Sequence, residues 1–394
     1  MEWLARAQDR VVIDPANYAG RGPALVKHWF LDRYLRDQLY KVANFGTFIY
    51  VDLFAGPWQS RTPDYSDTSF GIALSRMQNT KADLKARFGR DVHMIAHLVE
   101  LERHEELREA TSQFLGDIDV RCYAGRAEEH TTTIARAIPA RGFRFVNIDP
   151  KGLPDIRVFE PLIAAPNTEV LVNFMFQFAN RFIATKDRMP KLVEWLGQVA
   201  PGPKWQEQID RLSGKDREAF VTQMARDALA AIGGWKFAPV ITVDETDNDR
   251  PLYKLIYLSQ HEQGLKLFRD AAVAALTVQA QQRTQAMAAK REATTRTRDM
   301  FIDPDFVEPA ERSAKLLESG RLAGKHFARM IIDEAGSAGV TWKKLWTDVL
   351  DSWVITHKEL GDQVATWHRK GEIKIPDLRP PARKPKDDHV IYPG

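Results

Sequence analysis

Four tracts of this chain set acids beside small or rigid residues just where an apolar run stops, which is where α/β proteins build ligand sites. In Asp52-Leu53-Phe54-Ala55-Gly56-Pro57 a carboxylate opens a turn whose Gly56 has no Cβ to keep a ligand from the backbone. The Asp52 carboxylate and the backbone around Phe54, Ala55, Gly56 and Pro57 suit the polar end of a nucleoside-bearing ligand. Glu100 closes the run Met94-Ile95-Ala96-His97-Leu98-Val99-Glu100, a position from which an acid accepts hydrogen bonds from both ribose hydroxyls. Glu102 takes that role if the run ends two residues later. In Ala124-Gly125-Arg126-Ala127-Glu128, Arg126 and Glu128 are the candidates for holding a base amino group, with the acid displaced from the strand end. The fourth tract, Asp149-Pro150-Lys151-Gly152, offers a carboxylate to the hydrogens of an amine, with Pro150 stiffening the turn, and makes Asp149, Pro150 and Lys151 the candidate catalytic residues.

The elements that must position these tracts read as alternating strand and helix. Apolar runs at Phe48 to Asp52, Met94 to Glu100, Ile118 to Tyr123, Phe143 to Asp149 and Glu169 to Phe174 are rich in β-branched and aromatic residues. Helical spacing lies between them at Ser69 to Phe88, Arg103 to Phe114, Ala127 to Ala137 and Asp155 to Ala164. Such alternation predicts a parallel sheet with right-handed crossovers, covered on both faces. Two further runs, Ala238 to Val243 and Leu252 to Leu258, are separated only by Asp244 to Arg250, which permits only an antiparallel hairpin. Five parallel strands followed by a hairpin predict an α/β, Rossmann-like sheet of about seven strands of the class I methyltransferase type. The expected cofactor is S-adenosylmethionine (SAM), with its methionine part at the turn after Asp52 and its ribose at Glu100.

Asp149-Pro150 bears on what is methylated. Enzymes that methylate base amino groups carry an Asp/Asn/Ser-Pro-Pro-aromatic tract here, so that a flipped base stacks on the ring. This chain has the acceptor but Lys151 in place of the ring; Phe174, Phe176 and Phe178 are alternatives for stacking or are core. Cytosine C5 methylation needs a cysteine nucleophile after the fourth strand. The single Cys122 lies on the third strand instead and reads as an inert apolar residue.

Taken together, Tyr50 to Pro57, Val99-Glu100, Asn147 to Gly152, and Tyr253 to His261 with Gly264 resemble the three-Cys-motif partner (TcmP) family, across most of residues 20 to 270. The resemblance implies a methyltransferase-like fold and a partner protein with a three-cysteine motif that looks like a radical-SAM iron–sulfur protein. The chain departs from the family at Trp58, where a second glycine is usual, and at Lys151, where an apolar or aromatic residue is usual.

Composition fits this class. With 394 residues, 44% hydrophobic and 28% charged, the chain can bury a sizeable core and reads as more than one domain. One cysteine excludes a disulfide framework and a cysteine-built metal or iron–sulfur site, and no histidines cluster at metal-ligand spacing. Neither a leader-like start nor a run of about 18 apolar residues is present, so the expected location is cytoplasmic. The net charge of +3 is a mild pointer to an acidic partner.

The expected organisation is a helical region at 1–45, the methyltransferase-like domain at 46–260 with a helical insertion at about 179–235, a long basic helix and linker at 261–318, and a small module at 319–394. The helix collects Arg283, Lys290, Arg291, Arg296 and Arg298, which reads first as a solvated face, and Pro304 ends it. In the module, helical patterns at Leu322 to Glu334, Thr341 to Leu350 and His357 to Arg369 precede a hairpin of Glu372 to Ile375 with His389 to Tyr392. That is the pattern of a C-terminal winged helix. Arg369 and Lys370 at the third helix's end, with Arg379, Arg383, Lys384 and Lys386 on a proline-rich wing, suit phosphate contacts. Winged helices also dock proteins, but the basic wing favours nucleic acid, DNA or RNA. The sequence thus predicts a SAM-binding methyltransferase-like protein acting on nucleic acid with a three-cysteine partner. A non-catalytic adaptor that keeps the fold without an active site is the alternative.

Overall fold

The computed structural model describes residues 13–42, 46–57, 60–152, 154–177, 204–295, 311–379 and 383–394. Trp58, Phe178, the first part of the insertion, Arg296, Arg298 and Pro304 lie outside the described residues. The chain divides into two compact units, Met1–Gln260 and His261–Gly394.

In the first unit a 3-10 turn, Pro15–Tyr18, leads into helix α1 (Gly22–Val42). Then follow β1 (Phe48–Asp52), α2 (Ser69–Phe88), β2 (Met94–Glu100), α3 (His104–Thr111), β3 (Asp119–Ala124), α4 (Ala127–Ala137), β4 (Phe143–Ile148), the short α5 (Glu160–Ile163) and β5 (Thr168–Phe174). Helices α6 (Trp205–Arg211) and α7 (Gly214–Gly233) precede the hairpin of β6 (Val240–Asp244) and β7 (Pro251–Leu258). The seven strands lie in the order β3-β2-β1-β4-β5-β7-β6. Strands β1 to β5 are parallel, and β7 runs antiparallel to both β5 and β6. This is a methyltransferase-like Rossmann fold, as expected from five parallel strands closed by a hairpin. Its strand order reverses between β1 and β4, so the C-terminal ends of those strands open on the crevice where this class of sheet binds ligands.

Both sheet faces are covered, which is why β1 is apolar up to its closing Asp52 and why β1 and β5 are buried along their whole length. On one face Ile49, Val51, Val146, Ile148, Val172 and Ile256 pack with Phe159, Leu162, Met224 and Leu229. On the other, Tyr34 of α1 sits against Phe145 at 5.1 Å between ring centres and against Tyr257 at 5.5 Å. Helix α1 packs on α2, and Arg76 of α2 grips Asp32 of α1 with a second nitrogen at 2.8 Å from Oδ2. Helix α2 starts at a Thr68 cap that accepts the Gly71 amide at 3.1 Å and stops at Gly89, whose φ of 62° a residue with a Cβ disfavours.

In the second unit α8 (Glu262–Thr295) and α9 (Glu311–Ala335) precede β8 (Val340–Thr341), α10 (Trp342–Ser352), α11 (His357–Arg369), β9 (Ile373–Lys374) and β10 (Val390–Pro393). The three strands form an antiparallel sheet in the order β8-β10-β9. Trp342, Trp346, Val349, Leu360, Val364 and Ile391 are buried between helices and sheet. Arg283, expected on a solvated face of α8, is itself buried, whereas Lys290 and Arg291 are exposed. Among the described residues no helix is long and apolar enough to cross a membrane.

Candidate functional site

The turn after β1 is stitched to both neighbouring strands. The Leu53 amide donates to the Asn147 carbonyl at 3.2 Å, the Ala55 amide to the Val99 carbonyl at 2.9 Å, and the Gly56 amide to the Phe54 carbonyl at 2.9 Å. Asp52 is fully buried; its carboxylate accepts the Tyr50 hydroxyl at 2.9 Å, the Asn147 amide at 3.2 Å and the Phe54 backbone amide at 3.2 Å. Burial pushes the Asp52 carboxyl up, against the hydrogen bonds that favour its ionised form. The amides of residues 53 to 56 and the Asp52 carboxylate, expected to face a ligand, therefore all have partners within the chain. Their role in this structure is to fix the path of the turn. Pro57 is buried, and Phe54 and Gly56 are partly exposed.

The loop that follows is organised by the buried Asp67. Its carboxylate accepts Ser60 Oγ at 2.6 Å, the Arg61 amide at 2.9 Å and Thr62 Oγ1 at 3.1 Å, and it pairs with Arg21. Burial alone would raise this carboxyl; the donors outweigh it and hold it below the usual carboxylate range. Tyr65 holds a left-handed φ of 56°, and its hydroxyl reaches Glu106 of α3 at 3.1 Å, joining the loops after β1 and β2.

Glu100 ends β2 with Oε1 accepting the amides of Glu102 and Arg103, both at 3.0 Å. Its second carboxylate oxygen has no hydrogen-bond partner among the described residues. Glu102 is exposed. At the end of β3, Gly125 takes a φ of 122° and its amide bonds the Glu100 carbonyl at 3.1 Å. A Cβ there would meet Glu129 Oε2 at 2.8 Å. Arg126 and Glu128 are both exposed; the acid that caps α4 is Glu129, which accepts the Arg126 amide at 3.2 Å. Cys122 is partly buried, its thiol is pushed up by burial, and its sulfur lies 3.6 Å from Thr111 Oγ1.

A third polar cluster lies at the end of β4. Asp149 Oδ2 pairs with Lys27 of α1, and Oδ1 accepts Nδ2 of Asn173 from β5. Burial would raise the Asp149 carboxyl, but the Lys27 ammonium and the Asn173 amide hold it below its usual range, so it is ionised at neutral pH. Asn173 is 5% exposed, and its Oδ1 has no hydrogen-bond partner. Behind Lys27, the His28 ring nitrogen lies 2.9 Å from the Tyr18 hydroxyl, and burial pushes His28 down to about 3. The Tyr253 hydroxyl of β7 donates to the Pro23 carbonyl and pins the start of α1 to the sheet. A small pocket is lined by Pro150, Gly152, Pro154, Val172, Asn173 and Phe174, with Val172 and Phe174 on the sheet face away from α1. Lys151 is exposed, and Phe174 and Phe176 are buried in the core rather than set out for stacking. Among the described residues no group of His, Cys, Asp and Glu could hold a metal ion.

Sequence reasoning missed Lys27 and Asn173. Asn173 stands out only as a polar residue inside the apolar run Val170-Leu171-Val172-Asn173-Phe174, and nothing local marks Lys27.

In the second unit Arg369, Lys370, Arg379, Arg383, Lys384 and Lys386 are all exposed. Lys384 is paired with Asp362 of α11 at 2.6 Å, Lys370 lies 3.8 Å from Glu372, and Arg369 donates to Thr366 Oγ1 at 3.1 Å. The loop between β9 and β10 is tied down at its far end. Asp387 accepts the Trp346 indole at 3.0 Å, and its carbonyl accepts the Lys343 amide at 3.1 Å.

No protein family and no curated protein matches this chain. Among solved structures it is similar to one described as "Crystal structure of a putative caffeoyl-CoA O-methyltransferase from Staphylococcus aureus", at 11% identity and a TM-score of 0.25, over 56% of this chain and 79% of that one.

Proposed function

We propose that the first unit binds SAM at the C-terminal ends of β1, β2 and β3 and passes its methyl group to an amino group held at Asp149. The second unit, in this reading, is a winged helix that holds nucleic acid, and the chain works with a three-cysteine partner of the kind the TcmP resemblance implies. The observation that carries the proposal is the pair of carboxylates at one crevice. Glu100 has an oxygen left for ribose hydroxyls, and Asp149 is ionised two strands away. Bound there, SAM supplies an electrophilic methyl group. The protein's part is then to align the acceptor nitrogen, which by itself can provide much of the rate enhancement. Asp149 orients the amine through its hydrogens.

A non-catalytic adaptor has its own supporting observation: the turn after β1 uses all its amides internally, and Lys27 covers Asp149. Calorimetric titration of the full chain with SAM and with its demethylated product separates the two readings. Binding is expected, and Glu100→Ala should weaken it by about 1.5–3 kcal/mol through loss of charge-assisted hydrogen bonds. A chain that gives no heat with either ligand is the adaptor.

A further inference from the structure

We infer that Asn173 and Asp149 form a two-acceptor subsite for a primary amino group, and that the Lys27 ammonium is its resident stand-in. The inference rests on the methyl-transfer reading for its purpose, but not for its geometry. Asn173 is buried, and its Nδ2 is committed to Asp149 Oδ1, with Met175 Sδ at 3.9 Å on the same nitrogen. Turning the amide over would set its oxygen against the carboxylate, two acceptors face to face, so Asp149 fixes which way Oδ1 points. That oxygen is left without a partner, an unfavourable state for a buried acceptor that calls for an explanation.

Lys27 satisfies Asp149 but not Asn173 Oδ1. Its side chain is 18% exposed and sits on a flexible four-carbon stem, so the ammonium can withdraw without unfolding α1. A primary amine taking its place has at least two hydrogens to give, one to the carboxylate and one to Asn173 Oδ1. A hydroxyl has one, and would leave an acceptor bare. The subsite is therefore built for –NH2 over –OH.

The test uses the full chain with Lys27→Ala, with Lys27→Ser in reserve should the alanine variant fail to fold, and two probe cations of equal charge at fixed ionic strength. Methylammonium has three N–H groups; tetramethylammonium has none. Methylammonium at about ten times its dissociation constant should raise the thermal midpoint of the variant by roughly 3–6 °C, while tetramethylammonium should not. Adding Asn173→Ala should weaken methylammonium binding by about tenfold. Equal stabilisation by the two cations, no stabilisation by methylammonium, or indifference to Asn173 would each overturn the inference. SAM titration of the same variants reads the donor site separately: methylammonium selectivity without SAM heat would support the amine subsite and remove the methyl-transfer reading.

Discussion

Strand β5 carries a buried polar residue near each end, and the two ends treat a carboxylate in opposite ways. At the opening of the strand Glu169 accepts the Tyr34 hydroxyl, Gln38 Nε2 at 3.0 Å and Ser259 Oγ at 3.1 Å, with the Tyr34 and Tyr257 hydroxyls 2.8 Å apart. Burial pushes its carboxyl up to about 7 in spite of those donors and of the Lys41 charge. At the far end Asp149 meets Asn173 and one ammonium, and is held below its usual range. Neutral donors do not offset the desolvation of a carboxylate here; a single paired cation does. Helix α1 supplies both environments, Lys27 to one and Tyr34 and Gln38 to the other, about 10 Å or more apart along its axis. The ionised carboxylate stands where the strand ends open onto the crevice, and the protonatable one is sealed under the helix.

The largest expected effect comes from making the two ends alike. Lys27→Met should leave the largely buried Asp149 without a counter-charge and cost about 3 kcal/mol of stability in denaturant unfolding. Adding Asp149→Asn should recover most of that loss, because the uncompensated charge is then gone. A double variant as unstable as the single one would show that Lys27 acts by packing and that the contrast between the ends is not electrostatic.

Next in size is the effect on chemistry. Asp149→Ala should keep SAM affinity and lower turnover by about 100-fold, since misplacing the acceptor acts on the transition state more than on cofactor binding. Radiolabel transfer from SAM to amine-bearing nucleic acid measures it. Equal turnover in the two proteins removes Asp149 from the mechanism.

Glu169 gives a smaller effect with a definite sign. Its folded value of about 7 lies above its ordinary 4.5, so the stabilisation it provides is fully present below about pH 4.5 and is lost as pH rises toward 7. The loss across that window should be on the order of 2 kcal/mol. Asp149, shifted the other way, contributes stability above its ordinary value that is lost in acid. Glu169→Gln should therefore flatten the unfolding free energy between pH 5 and 7 while leaving the acid limb intact. An unchanged slope would mean that the tyrosine cage does not set Glu169's protonation.

What could be read from the chain alone follows the same division between local and distant contacts. Ser69–Phe88, Met94–Glu100, Ala127–Ala137 and His357–Arg369 were each legible to the residue, because caps and periodicity are local: Thr68 and Gly89 bound one helix, and a Thr356–Glu359 capping box starts another. Strand β8 was not, since two residues carry no period, and Asp155 to Ala164 proved to be a 3-10 turn followed by the short α5 rather than one helix. At the site, Asp149 and Glu100 were visible as acids ending apolar runs. Lys27 and Asn173 were not, because their meaning lies in contacts to a residue 122 and 24 positions away.

The smallest expected effect moves the comparison to the surface, where Lys384 and Asp362 pair as Lys27 and Asp149 do, but in water. An exposed pair should contribute little to folding, so its consequence is in binding. If the module holds nucleic acid, Arg379, Arg383 and Lys386 are the wing cations free to meet phosphate, and replacing all three by alanine should make the log–log salt slope of binding shallower by up to about 3 units. Lys384→Ala alone should change it little, because Asp362 already competes for that ammonium. Asp362→Asn should instead release Lys384 and steepen the slope by about 0.9. Anisotropy titration of the full chain against duplex DNA and structured RNA at several salt concentrations reads these differences. A slope that ignores the triple substitution and Asp362 alike would make this loop a protein-docking surface, and the contrast between the exposed pair and the largely buried one would then have no counterpart in binding.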